Sequence, residues 1–379
     1  MADKTILGVL MRGGTSKGVF LPRSLLPPAG LLRDQFVLDI LGSPDPMQLD
    51  GLGGTHSSTS KLVAVGPGRR PEVDVDYLFV QVGVEAATLD YKGNCGNLTS
   101  AVGAYAIDEG LVEAVEPVTV VRMYNENTGK LVSGHIPVEG DRAATRGDFS
   151  IAGVPGTGAR IRTEFHDPAG AVFGTLFPTG RALDRLRVPD VGPVEVSIVD
   201  VTTPVVFVHA GAIGLEGTEL PNELNRDPDV VARLEKIRSA AAVELGVVER
   251  AGDAARLSPA VPSLAIVSPP GPAPLVDGGT LQPGEVDIVS RITSSGRVHH
   301  AHTLTGLMCT AAAGLLEGTI PHDVVANTHT GRLRIGHPKG MTAVEVDVDP
   351  AEPRVRSVVV ERTARRLMAG EIYLRSSLD

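Results

Sequence analysis

Leu98-Thr-Ser-Ala-Val-Gly-Ala-Tyr-Ala-Ile107 carries no charge and is small and apolar on every face of the helix it predicts. A helix apolar all round is buried all round. A second stretch of the same character, Leu304-Thr-Gly-Leu-Met-Cys-Thr-Ala-Ala-Ala-Gly-Leu-Leu316, lies two hundred residues further on. Each runs out into Glu-Gly and an apolar-leaning pair, Glu109-Gly110-Leu111-Val112 and Glu317-Gly318-Thr319-Ile320. Short apolar or alternating runs surround them: Thr5–Leu10, Val73–Val80, Val118–Met123, Val194–Val201, Val205–His209, Ser263–Val267, Val344–Val348 and Val355–Arg362. Runs of that length with turn residues nearby read as strands. The economical arrangement is a duplicated α+β fold of two pseudo-symmetric domains. Each wraps a curved, mostly antiparallel sheet around one central buried helix.

At 379 residues the chain is long enough for two or three domains. The first half is placed at 1–187 and the second at 188–354, because Arg185–Pro193 breaks the pattern with two prolines and a glycine. One ordinary amphipathic helix is predicted from Asp227-Pro228-Asp229, an N-cap followed by Pro at the first helical position, to Gly246. Ser258–Pro283 holds seven prolines around Leu264–Val267 and reads as edge strand and loop.

Composition narrows the partners. Thirty-five Lys and Arg against 45 Asp and Glu leave a net charge of −10, which offers no basic face to nucleic-acid phosphates. Eight Phe, five Tyr and no Trp leave little for base stacking. No uncharged apolar stretch is long enough to span a membrane. Two cysteines cannot build a disulfide framework, so a reduced, cytoplasmic protein is expected.

Four glycine-punctuated polar stretches are candidates for chemistry: Met11–Gly18, Asp50–Lys61, Gly93–Asn97 and Gly336–Gly340. None has the spacing of a phosphate-binding or dinucleotide loop. Cys95 stands just before the first buried helix, where N–H groups and the helix dipole favour a thiolate or a bound carboxylate. The bland alternative is an inert thiol in a Gly/Asn turn. Lys61 heads the apolar Leu62-Val-Ala-Val65, so its stem is set to be desolvated, as a lysine base requires. The alternative is a solvated lysine at a strand edge. Ser58-Thr-Ser-Lys61 also fits the Ser-x-x-Lys pattern of serine acylases, but its companion motifs are missing. His299, His300 and His302, with His322 or His329, invite a metal hypothesis but lack a zincin spacing. No metal is expected, and Cys309 reads as a packed core thiol.

Met11–Phe20, Gly42-Ser43-Pro44-Asp45, Asp50–Lys61, Asn94-Cys95-Gly96-Asn97 and Arg334–Pro338 together closely resemble the PrpF family, from about residue 5 to the end of the chain. That family includes 2-methylaconitate cis–trans isomerase, 3-methylitaconate Δ-isomerase and 4-oxalomesaconate tautomerase. The resemblance implies a diaminopimelate-epimerase-like fold, with the C-terminal strand, about 355–379, returning to the first half and the active site in the cleft between the halves. It further implies an allylic proton shift on an unsaturated di- or tricarboxylate such as 2-methylaconitate, aconitate or 4-oxalomesaconate, without metal or organic cofactor. By motif, the catalytic residues fall on Lys61 and Cys95. Lys61 would shuttle the proton between allylic carbons, and Cys95 would orient the substrate or act as a second acid/base. Arg12, Ser16, Lys17, Ser60, Asn94, Gly96, Asn97, His302, Thr305 and Lys339 are the expected substrate-binding set. Lys339 stands where the family usually has Ser, and an added ammonium there would favour a more highly charged substrate. The partner is thus a small unsaturated polycarboxylate, and a homodimer is also expected. Two rival activities are an amino-acid epimerase on the same fold, which wants a thiol at each helix mouth, and a Ser-x-x-Lys acyl hydrolase. A non-enzymatic carboxylate-binding protein is the third alternative.

Overall fold

The computed structural model describes residues 5–91, 93–294, 296–326, 331–349 and 351–375. By its packing the chain forms two compact units, 1–165 with 361–379, and 166–360.

Unit 1 is built from β1 (Thr5–Gly13), β2 (Ser16–Pro22), α1 (Leu31–Leu41), β3 (Lys61–Pro67), β4 (Val75–Val82), α2 (Gly96–Asp108), β5 (Val118–Asn125), β6 (Lys130–Glu139) and β7 (Ile161–His166). Unit 2 repeats the plan after an added strand β8 (Asp184–Val188). It continues with β9 (Gly192–Val201), β10 (Thr203–His209), α3 (Pro228–Glu244), β11 (Ser263–Ser268), β12 (Ile288–Ser294), α4 (Leu304–Gly314), β13 (Arg332–His337), β14 (Gly340–Val348) and β15 (Val355–Arg362). A final strand, β16 (Ala364–Tyr373), pairs antiparallel with β1.

The duplication is written in the pairing. In unit 1, β1–β2 is antiparallel, β2–β3 parallel, β3–β4 antiparallel, β4–β5 parallel, and β5–β6 and β6–β7 antiparallel. In unit 2, the ladder from β9 to β15 gives the same order: antiparallel, parallel, antiparallel, parallel, antiparallel, antiparallel. Each parallel step needs a crossover. In both units the first is made through a helix on the outer sheet face (α1, α3) and the second through the buried helix (α2, α4).

Strands β2–β4 and β9–β12 are buried along most of their length because both of their faces are covered. Val19, Leu21, Leu62, Ala64, Leu78 and Val80 pack with Phe36, Val37 and Ile40 of α1. The alternate residues face α2, as Phe20 does with its ring 5.5 Å from that of Tyr105. In unit 2, Ile198, Val206, Val208, Leu264 and Ile266 pack with Val230, Leu234 and Ile237 of α3. The N-cap read at Asp227 is in place, its carboxylate accepting from the N–H groups of Asp229 and Val230.

Two expectations are corrected. The division falls after Phe165, not at 187/188, and again after Val360 rather than 354. The Arg185–Pro193 segment is a tight hairpin inside unit 2, turning through Asp190 at φ 61° and Gly192 at φ 100°. Its turn residues reverse a strand and do not link domains. Nor is Ser263–Ser268 an edge strand, since it pairs with β10 on one side and β12 on the other. Pro262 and Pro269, on either side of it, stand outside its paired residues, where no ladder N–H is lost.

Candidate active site

Lys61 and Gln81 sit directly opposite one another on β3 and β4. Lys61 shares parity with Val63 and Val65, and Gln81 with Phe79 and Tyr77. Tyr77 fixes which face this is, because its hydroxyl lies 3.1 Å from Thr99 Oγ1 of α2. Both side chains therefore project on the α2 side, at the end where that helix begins. Lys61 is 7% exposed, its Nζ donates to Gln81 Oε1, and the Phe79 ring centroid lies 5.2 Å away. Burial holds its pKa below the ordinary lysine value, opposed in part by charge on Cys95 and Asp90.

Cys95 is the N-cap of α2, yet its side chain makes no capping bond. The thiol is half-buried, with Ser16 Oγ at 3.9 Å. The first-turn N–H groups of a helix have no intrahelical acceptor and present positive charge to whatever binds there. Gly96 opens that turn, and Asn94 is held alongside it by Thr99 Oγ1, which donates to Asn94 Oδ1 at 3.3 Å. Ser16, Asn94, Cys95 and Gly96 thus gather at one helix mouth, on the sheet face that carries Lys61.

Other members of the expected binding set have bonds within the frame. Asn97 is spent on the β1–β2 turn: Oδ1 accepts from Thr15 N at 3.3 Å and Nδ2 donates to Thr15 Oγ1 at 3.1 Å. Arg12 Nη1 donates to the carbonyls of Gly14 and Thr363, at 3.0 and 2.9 Å, which ties the same turn to the start of β16. Burial and neighbouring Arg365 lower its pKa, and among the described residues it has no carboxylate partner. Ser60 is fully buried and accepts from Gln48 Nε2 at 2.7 Å, so its hydroxyl is already committed. Lys17 alternates with Val19 and Leu21 toward the α1 side, while its backbone N–H donates to Ser58 O at 2.9 Å. Two of the motif's three glycines show why no larger residue fits. Gly14 turns at φ 51°, and a Cβ on Gly18 would lie 2.7 Å from Leu98 Cδ1 and 2.9 Å from Lys61 O. Gly18→Ala is accordingly expected to cost about 1–3 kcal/mol in urea unfolding, with a fall in kcat as the head of β3 is displaced.

In unit 2, His302 is buried and both its nitrogens are used. Nδ1 donates to Thr303 O and Nε2 accepts from Ser290 Oγ, each at 3.0 Å. Burial pushes its pKa down to about 4, which favours the neutral ring. Thr305 is buried in the first turn of α4, its carbonyl accepting from Thr202 Oγ1 at 3.1 Å. Lys339 is half-buried in the β13–β14 turn, its N–H donating to His337 Nδ1 at 3.3 Å.

The rival chemistries meet specific obstacles. The α4 N-cap is Thr303, whose hydroxyl accepts from Gly306 N at 3.2 Å. Cys309 is fully buried inside that helix, donating to Val199 O at 3.3 Å, and burial pushes its pKa up. A two-thiol epimerase has no second thiol here. Ser58 lies in the turn before β3, with its Oγ 3.1 Å from His56 Nδ1. Its lysine is bound to Gln81, so Ser-x-x-Lys is not assembled on one helix face. Of the suggested metal ligands, His329 lies outside the described residues. Among the described residues no group of three or more His, Cys, Asp or Glu is arranged for a metal, and no helix is long and apolar enough to cross a membrane.

Gln81 was missed in the sequence. The one signal was a polar residue near the end of an apolar strand, and its meaning depends on a register that sequence does not show.

The family described as PrpF protein matches residues 3–375. 3-Methylitaconate isomerase of Eubacterium barkeri is 43% identical over 97% of each chain. (4E)-oxalomesaconate Delta-isomerase of Novosphingobium sp. (strain KA1) is 37% identical over 96% of each. The crystal structure of a methylitaconate-delta-isomerase superposes with TM-score 0.85 at 42% identity, covering 99% of this chain and 96% of that one. The fold is thus the α+β, diaminopimelate-epimerase-like one, and the chain belongs to the PrpF family.

Proposed function

We propose that this PrpF-family isomerase of unsaturated carboxylates moves a proton along the allylic system of a di- or tricarboxylate, with Lys61 as the shuttling base and Cys95 against the substrate. The observation that carries the reading is a buried lysine with a lowered pKa, on the same sheet face as an uncapped helix mouth. A neutral amine takes the proton from one allylic carbon and becomes an ammonium. It returns the proton to the other carbon and is neutral again. The dienolate formed between these steps carries its charge on the carboxylates, and pre-positioned N–H and O–H donors lower its energy. The first turn of α2 and the Ser16 hydroxyl supply such donors, with Asn94 beside them. An allylic shift by one base uses one face of the substrate. The single accessible thiol agrees with that better than with stereoinversion.

The relatives' names span a methylitaconate and an oxalomesaconate, which supports an unsaturated polycarboxylate as the substrate class. The reading is of a cytoplasmic enzyme. Its test is proton NMR in D₂O with 2-methylaconitate, cis- and trans-aconitate, 3-methylitaconate and 4-oxalomesaconate. The expected result is a new isomer of one compound, with deuterium at an allylic carbon. No exchange in any of the five overturns the proposal.

A further inference from the structure

Gln81 does more than accept one hydrogen bond. Its Nε2 donates to the carbonyls of Ser57 at 3.1 Å, Ser60 at 3.0 Å and Val82 at 3.2 Å, while Oε1 takes the Lys61 N–H. Rotating the amide by 180° would set its oxygen against three carbonyl oxygens and its NH₂ against the lysine donors. The direction of Oε1 is therefore fixed by the backbone on either side of it. We propose that Gln81 is the positioning residue of the proton shuttle: it anchors one N–H of the Lys61 amine so that the lone pair is aimed at substrate, and it does so without adding charge. The inference rests on the reading of Lys61 as the base.

A neutral anchor matters because of the other groups that face Lys61. Asp90 approaches from the short Leu89–Asp90 segment paired with β4, Cys95 from the N-cap of α2, and His56 from the loop before β3. Burial lowers the lysine pKa, while the two acidic groups raise it. A carboxylate in direct contact would add a much larger raising effect, of about 1–3 pH units for an opposite charge within 4–6 Å. Glutamine keeps the hydrogen bond and omits the charge.

Two variants separate these functions. Gln81→Glu places a charge on the anchor, so the rising limb of kcat/KM against pH is expected to move up by about one unit or more. Gln81→Met removes the anchor without charge, and kcat is expected to fall about 10- to 100-fold, with KM unchanged within about twofold. Gln81→Asn, an amide one methylene shorter, substitutes if the Met variant does not fold. A readout independent of turnover is NMR titration of protein labelled with ¹³C at lysine Cε. There are seven lysines, and the Lys61 signal is the one lost in Lys61→Met. In support, the Lys61 titration and the rate limb rise together in Gln81→Glu. If the Lys61 titration does not move, the anchoring role falls, whatever the activity. If the titration moves and the rate limb stays, Lys61 is not the base and the inference falls with that reading.

Discussion

Lys61→Met is expected to lower kcat/KM by about 10³- to 10⁴-fold, the upper range for removing a general base, while calorimetric titration still detects substrate. Methionine keeps the length and apolar stem of the side chain and removes the group that titrates. Deuterium incorporation from D₂O should disappear with turnover, because both need the same proton to leave carbon. Retained turnover would refute the role of base. The same variant should also be more stable than the parent. In the folded protein Lys61 titrates below its unfolded value. Between those two pKa values the unfolded chain binds more protons, so stability rises with pH across that window. Below the window the folded protein carries the full penalty of a buried ammonium, and methionine removes it. The gain, about 0.5–2 kcal/mol as is common for stabilising replacements, should be present at neutral pH and shrink toward zero as pH passes the unfolded lysine value. A loss of activity coupled to a gain in stability that fades with alkali is not produced by simple misfolding.

The sequence made the two buried helices legible because a helix without charge on any face has no other environment open to it. Lys61 was legible for a related reason, since the Leu-Val-Ala-Val after it demands burial. Lys17 shows where such reading stops. It stands beside Ser16 in one motif stretch, but β2 begins at Ser16 and alternation sends the two side chains to opposite faces. Placing the strand start would have separated them. Helix α1 was missed because Gly30 precedes it and no side chain caps it. Burial of Phe36, Val37, Ile40 and Leu41 against the sheet holds it, and that is a tertiary fact. His302 shows the same limit: only packing reveals that both ring nitrogens are already bonded. The prolines flanking Ser263–Ser268 argued for an edge, whereas the rule concerns residues within a ladder and not those beside it.

Cys95 provides the second large effect and contains its own control. Iodoacetamide is expected to add one group per folded chain, at Cys95, with activity lost in proportion and at least about 10²-fold lower when modification is complete. Cys309 should remain unlabelled until the protein is unfolded. Its thiol is fully buried, bonded to the Val199 carbonyl and held protonated by its surroundings, and alkylation needs an accessible thiolate. Cys95 is half-buried, and its Sγ lies 3.9 Å, a long distance, from the Ser16 hydroxyl. Bound substrate should slow labelling, because the thiol would lie against it. Cys95→Ser then distinguishes the two duties open to the residue. A hydroxyl preserves size and polarity but is far less acidic, so a purely orienting thiol predicts a loss of about tenfold or less. A thiol that also donates or accepts the proton predicts a deeper loss, about 10²–10⁴-fold, and a pH–rate profile without its thiol limb. Full labelling of Cys95 with turnover unchanged would take the residue out of the mechanism and leave Lys61 to act alone. The helix mouth would then bind substrate through its N–H groups without help from sulfur.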